Sequence, residues 1–323
     1  MLIFILKRLG VMLLTMFALT LVVFYLTNLE PNLVKLALSA GNMRMTPEEV
    51  QLWLENRGYT DPFFYRYFSW LGGVLTGDWG MSTRFDTEVG PFIAGRLAAT
   101  GALMFWVMIV MIPSALLLGV LAGMREGSKT DRSLSLVAIG STATPEYVSG
   151  IIFTVIFASL FKEWFGDFHL NGSAASATGR NGLNITFYNF TLPVITMAAY
   201  GMGYIARMTR ASMAEVMTAQ YIRTARLKGV SFRQIVIKHA LRNALIAPFT
   251  VIMLQFPWLL TGVVIVERMF GYKGFGDALV QAAENNDIEL LLTCSVVSVA
   301  VVLITQLISD IGYVYLNPRI RVK

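Results

Sequence analysis

Six stretches of this sequence are too apolar to leave a helix in water, and they limit what the chain can fold into. They cover approximately residues 9–29, 98–124, 134–161, 191–206 with flanks, 244–266 and 290–309. Each approaches the roughly 20 residues that a helix needs to cross a bilayer. Five carry no charged residue and the third carries only Glu146. Lipid offers the backbone no hydrogen-bond partners, so a run of this kind must satisfy its amides internally as a helix. Composition agrees: 14% of residues are charged, against about a quarter in soluble domains. The expected class is an all-α integral membrane protein with six transmembrane helices.

Basic residues set the orientation. With the N-terminus inside, 16 of the 26 Lys and Arg fall in the start, in 125–132, in 207–242 and in the tail. Both termini are therefore expected in the cytoplasm. Lys7 and Arg8 before the first apolar run could mark a signal peptide, but no small-x-small cleavage site follows, so an uncleaved anchor is expected. The expected division is a first span over 1–29, an external loop over 30–97, a five-helix core over 98–317 and a tail over 318–323. Within the core, 207–243 is a cytoplasmic loop.

The outer loop has internal signals. Thr46-Pro47-Glu48-Glu49 reads as a capping box with proline at the first helical position. Gly58 should stop that helix, and Asp61-Pro62 should start an aromatic-rich one running to Gly72-Gly73. Its aromatics suit either an interfacial belt or a small packed subdomain. Pro113, Pro145, Pro193, Pro248 and Pro257 lie inside spans two to five, where freed carbonyls are tolerated only against protein or a wet cavity. Glu146, Tyr147, Pro257 and Trp258 are the candidate pathway residues, with Glu146 expected midway along span three. Ordinary kinking and a structural carboxyl are the plain alternatives.

The cytoplasmic loop carries the sharpest pattern. Ile222, Ala225 and Gly229 recur at helical spacing, with Arg223, Arg226 and Lys228 between them. Gly229 supplies a left-handed stop, and Ser231 with Gln234 reads as a capping box for the next helix. Without a partner, such a pair would be an interfacial amphipathic helix–turn–helix.

Thr224-Ala225-Arg226-Leu227-Lys228-Gly229 and His239-Ala240-Leu241-Arg242 resemble the EAA loop of ABC importer permeases. Thr224 for the acidic residue and Arg242 for proline resemble the dipeptide/oligopeptide permease subfamily. Shared wording extends to Gly77-Asp78-Trp79-Gly80, to Pro145-x-Tyr147-x-x-Gly150 (Tyr147 where the subfamily has Phe) and to Asn317-Pro318-Arg319. The resemblance implies a type I ABC importer permease fold in a bacterial or archaeal inner membrane. It implies a second homologous permease, two cytoplasmic ATPase domains that bind ATP and Mg, and an extracytoplasmic substrate-binding protein. Tyr221, Arg223, Thr224, Ala225, Arg226, Lys228 and Gly229 would dock the ATPase, with Ala225 against it.

No phosphate-cradling loop, Gly-x-Ser-x-Gly or His-Glu-x-x-His occurs, and His169 and His239 fall on opposite faces of the expected topology. No catalytic role, cofactor or metal is expected in this chain, and the net charge of +6 suits a membrane's cytoplasmic side better than nucleic acid. Gly119 and Gly123 match the small-residue packing motif of membrane helices. Peptides are the expected cargo. Oligosaccharides, opines, glutathione or nickel complexes are alternatives within the class. An ATP-independent secondary transporter or channel, or a membrane-embedded enzyme, is the alternative outside it.

Overall fold

The structure, a computed structural model, describes residues 2–40, 44–166, 169–179 and 182–316. The Asn317-Pro318-Arg319 tail and the Pro257 side chain lie outside the described residues. Helices α1 (Leu2–Thr27), α2 (Glu30–Ala40), α3 (Pro47–Glu55) and α4 (Phe63–Thr76) precede a hairpin of β1 (Met81–Ser82) and β2 (Thr87–Glu88). Then come α5 (Val89–Gly123), α6 (Lys129–Ala143), α7 (Glu146–Phe153), a π-helical turn Thr154–Leu160 and α8 (Phe161–Phe165). A second hairpin, β3 (Thr178–Gly179) with β4 (Gly182–Leu183), leads to α9 (Phe187–Thr218), α10 (Gln220–Leu227) and α11 (Phe232–Gln234). A π-helical turn Ile235–Ala240 continues into α12 (Leu241–Ala244), α13 (Ile246–Phe270), α14 (Phe275–Glu284) and α15 (Ile288–Leu316).

Among the described residues, four helices are long and apolar enough to cross a membrane: Ile5–Thr27, Val89–Gly123, Glu146–Phe165 and Ile288–Gly312. A pair bent by 49°, Phe232–Ala244 with Ile246–Phe256, makes a fifth if it is one broken span. The third expected span is corrected. Helix α6 ends at Ala143, Thr144 is extended, and Pro145 becomes the N-cap of α7. Glu146 thus opens a helix and is not midway along one. The fourth expected span lies inside α9, which has 32 residues but is less apolar. Its small and polar residues are tolerated because neighbouring helices cover them: Thr196 and Thr209 are fully buried.

The chain divides into two compact units, one of Met1–Thr100 with Lys273–Ile304 and one of Gly101–Tyr272 with the end of α15. In the first, Thr46 and Glu49 form the expected capping box, Pro47 opens α3, and Gly58 turns the chain out of it at φ +73°. Helix α4 runs past Gly72-Gly73 and stops at Gly77, whose φ is +92°. The Gly72-Gly73 stop is therefore corrected, because the left-handed residue decides the end. Tyr67 of α4 is fully buried and its hydroxyl meets Thr20 of α1 at 2.9 Å. Phe24, Phe63, Tyr67 and Trp70 form an aromatic cluster with edge-on and tilted contacts, while Phe64, Tyr65 and Phe68 stay exposed. Helix α4 is thus packed along one face and belt-like along the other. Asp287 is buried and accepts from the Ser82 hydroxyl at 2.5 Å and from the Arg84 amide at 3.1 Å.

In the second unit α9 is the central element, packed by α6, α7 and α13. Helix α5 approaches it backbone to backbone. A methyl added at Gly119 would lie 2.6 Å from the Ala206 carbonyl oxygen, and one at Gly123 would lie 2.5 Å from that of Arg210. Neither distance is available to a real side chain, so the small-residue motif is used for close helix packing. Asn189, one of three Asn-x-Ser/Thr positions, is buried and caps α9 through a reciprocal pair of hydrogen bonds with Thr186.

Candidate functional site

The segment from α10 to α12 is built on an apolar underside and a charged outer face. Ile222, Ala225, Ile235, Val236, Ala240 and Ala244 bury their side chains against Met213 and Met217 of α9. Helix α10 ends in a Schellman motif: the Val230 amide donates to the Ala225 carbonyl at 3.2 Å, and the Gly229 amide to that of Arg226 at 3.0 Å. Gly229 holds φ +77° with open space where a side chain would start, so the backbone alone demands glycine there. Ser231 stands at the next N-cap, but its hydroxyl makes no capping hydrogen bond. The Ser231–Gln234 box is therefore corrected: the extended backbone of Ser231 starts the helix, and its carbonyl accepts from the Ile235 amide at 2.9 Å.

Of the residues expected in this site, Tyr221, Arg223, Thr224, Arg226 and Lys228 are exposed. Ala225 faces inward and keeps 9% of its surface. Leu227, absent from the expected set, is 82% exposed at the tip beside the turn. Its signal was readable: Leu227 is an apolar residue outside the Ile222–Ala225–Gly229 stripe. Tyr221 is held by the Asn243 amide, which donates to its hydroxyl at 3.0 Å and ties α10 to α12.

A half-buried ion pair lies at the root of this element. Arg210 of α9 donates to both oxygens of Asp131 in α6, at 2.9 and 2.8 Å. The Gly127 amide and the Ser135 hydroxyl also donate to Asp131. These partners, the Arg210 guanidinium foremost, hold the Asp131 carboxyl far below the usual carboxylate range against the opposing effect of burial. Arg210 is correspondingly raised, chiefly by its hydrogen bond to Asp131. Sequence reading missed this pair because the partners are far apart in the chain.

Glu146 is partly exposed in the first turn of α7, where a carboxylate suits the helix dipole. Tyr147 is exposed, and Trp258 of α13 stacks on Tyr200 of α9 with centroids 5.0 Å apart. Among the described residues, no group of three or more His, Cys, Asp or Glu is placed to hold a metal ion.

Residues 115–322 match the family of binding-protein-dependent transport system inner membrane components. The chain belongs to this family. Residues 1–87 match the N-terminal region of membrane components of the same systems. This permease component is similar to the oligopeptide transport system permease protein AppB of Bacillus subtilis (strain 168), at 31% identity over 278 residues, 86% of each chain. It is 31% identical over 340 residues, 99% of each chain, to the dipeptide transport system permease protein DppB of Escherichia coli (strain K12). A di/tripeptide transport system permease protein, DppB of Pseudomonas aeruginosa (strain UCBPP-PA14), matches at 31% over 335 residues, 99% of each chain. The permease component is thus a multi-pass inner-membrane protein of a transport system that works with a binding protein.

Proposed function

We propose that this chain is one of two permease subunits of an ATP-driven ABC importer that carries peptides delivered by an extracytoplasmic binding protein. The names of the relatives support the cargo, and their full-length similarity supports the same architecture. In this reading α9 and the bent pair around Leu245 complete six spans with cytoplasmic termini. Residues 30–97 face outward, and 207–243 form the cytoplasmic coupling loop. Two partner ATPase domains supply ATP and Mg chemistry.

The observation that carries the reading is the outer face of α10. Arg223, Arg226 and Lys228 surround an exposed Leu227 on a helix locked by the Gly229 turn. A rigid apolar tip within a basic rim suits a groove on a partner protein, with Leu227 as anchor and the charges as rim. Ala225 then acts as the close-packed underside that keeps α10 low on α9. The test is co-purification of the ATPase subunits with Leu227→Asp in the complete complex. Membrane insertion should be unchanged, and ATPase recovery and peptide uptake should both fall at least tenfold. Retention of both would overturn the docking assignment. Orientation is tested separately: Cys294 is buried, so Ser231→Cys should be shielded from impermeant thiol reagents in intact cells and Glu88→Cys should react.

A further inference from the structure

A cavity of about 670 Å³ opens in the first unit, where α1 and α15 meet the loop helices. Phe24 and Asn28 line it from the end of α1, and Ile288, Glu289 and Leu292 line it from the start of α15. These are the ends of two membrane-crossing segments, Ile5–Thr27 and Ile288–Gly312, so the cavity lies at the boundary between hydrocarbon and water. Tyr25 and Leu26, exposed at the same end of α1, suit such a boundary.

The lining carries both signs of charge. Arg66 is anchored by donating to the Tyr59 carbonyl at 2.8 Å and to the Asn28 side chain. Arg57 lies 4.0 Å over the Trp53 ring, which is itself stacked with Tyr59. Opposed to them are Asp61, Asp78, Asp86 and Glu289. Glu289 has no hydrogen bond or ion pair among the described residues, although Asp78, Asp287 and Arg66 are near enough to act on it. Gly80, at φ +77°, leaves room for its carboxylate: a methyl there would lie 3.0 Å from Glu289 Oε2. A carboxylate with no hydrogen bond, kept clear by a glycine at a position closed to side chains, is built to meet a cation.

We propose that this cavity binds the headgroup of an aminophospholipid of the phosphatidylethanolamine class. Its primary ammonium is received by Glu289 and Asp78, its phosphodiester lies against Arg66 and Arg57, and its acyl chains stay in the surrounding lipid. Four carboxylates against two guanidiniums oppose a purely anionic lipid. A choline headgroup has no N–H to donate to Glu289, so the carboxylate discriminates a primary ammonium from a quaternary one.

The test is native mass spectrometry of the assembled permease complex in detergent, incubated with equimolar phosphatidylethanolamine, phosphatidylcholine and phosphatidylglycerol of identical chains. The wild type should retain phosphatidylethanolamine about tenfold over the other two, as one charge-assisted hydrogen bond allows. Glu289→Gln, which keeps the side chain's shape and breaks no contact, should abolish that preference while complex assembly is unchanged. Equal retention of the three lipids by the wild type, or an unaltered preference in the variant, would overturn the proposal. Displacement of phosphatidylethanolamine by trialanine would reassign the cavity to peptide. The readout is lipid retention alone, so it stands or falls independently of ATPase docking and uptake.

Discussion

Arg210 and Asp131 meet as a two-pronged pair, guanidinium Nε to one carboxylate oxygen and a terminal nitrogen to the other, at 2.9 and 2.8 Å. Asp131 is 3% exposed while about a third of the Arg210 side chain remains open. The pair joins the start of α6 to α9, two turns before α9 delivers the chain into α10. Asp131→Ala removes the hydrogen-bonded partner but leaves Arg210 a third open and 3.7 Å from Glu126, so it should destabilise the second unit by about 1–3 kcal/mol.

The same pair makes a pH prediction. The folded carboxyl of Asp131 is depressed below its ordinary value, so its contribution is fully present above the ordinary carboxylate range, about pH 4, and fades as pH falls through the lower folded value. Thermal unfolding of wild type and Asp131→Asn should show a constant gap from pH 8 to 5 that narrows only below about pH 4. A gap that closes between pH 7 and 5 would mean that another group is titrating.

Gly229 should discriminate substitutions by backbone and not by size, since nothing lies within 4 Å of an added methyl. A non-glycine residue in the left-handed region costs about 1–2 kcal/mol, with asparagine the best tolerated. In uptake assays on inserted protein, Gly229→Asn should stay near wild type, whereas Gly229→Val should lose most transport while expression is retained. Equal loss in both would point to side-chain volume at a partner surface.

Two glycines of α5 make a paired test of helix packing. Gly101 has open space around it and Gly119 has the α9 backbone. Gly101→Ala should be neutral or stabilising by up to about 1 kcal/mol. Gly119→Val should cost about 1–3 kcal/mol through overpacking and lower the yield of folded protein. The two are compared by detergent-resistant thermal unfolding.

What could be read ahead of the structure was local. Thr46, Pro47 and Gly58 delimit α3, and Gly229 ends α10, because each acts on backbone groups within a few residues. Gly72-Gly73 misled because glycine permits a left-handed turn without demanding one, and α4 takes it at Gly77. Pro145 looked like a kink inside one apolar run, yet its ring and the extended Thr144 divide the run into two helices. The Arg210–Asp131 pair and the Ser82–Asp287 bond join residues 79 and 205 positions apart. Hydrophobic periodicity contains no term for such partners. Ala225 and Leu227 differ by two positions, yet one is buried and the other exposed, so the outer face of α10 is defined only once its underside is known.

Glu146 is the residue whose meaning changes most with its place in the fold. At the opening of α7 its carboxylate gains from the helix dipole, an interaction worth about 0.3–1 kcal/mol. Glu146→Gln removes only that, so insertion, assembly with the partner subunits and thermal stability should all be close to wild type. Any change in transport then has to come from what the carboxylate meets during translocation. The expected result is an altered uptake rate or an altered preference among di-, tri- and tetrapeptides of different charge, with Glu146→Asp intermediate. A group lining a pathway must release what it admits, so the effect belongs in rate and selectivity and not in tight binding. Unchanged uptake across the peptide series would remove Glu146 from the pathway, and loss of the assembled complex would make it a structural carboxyl.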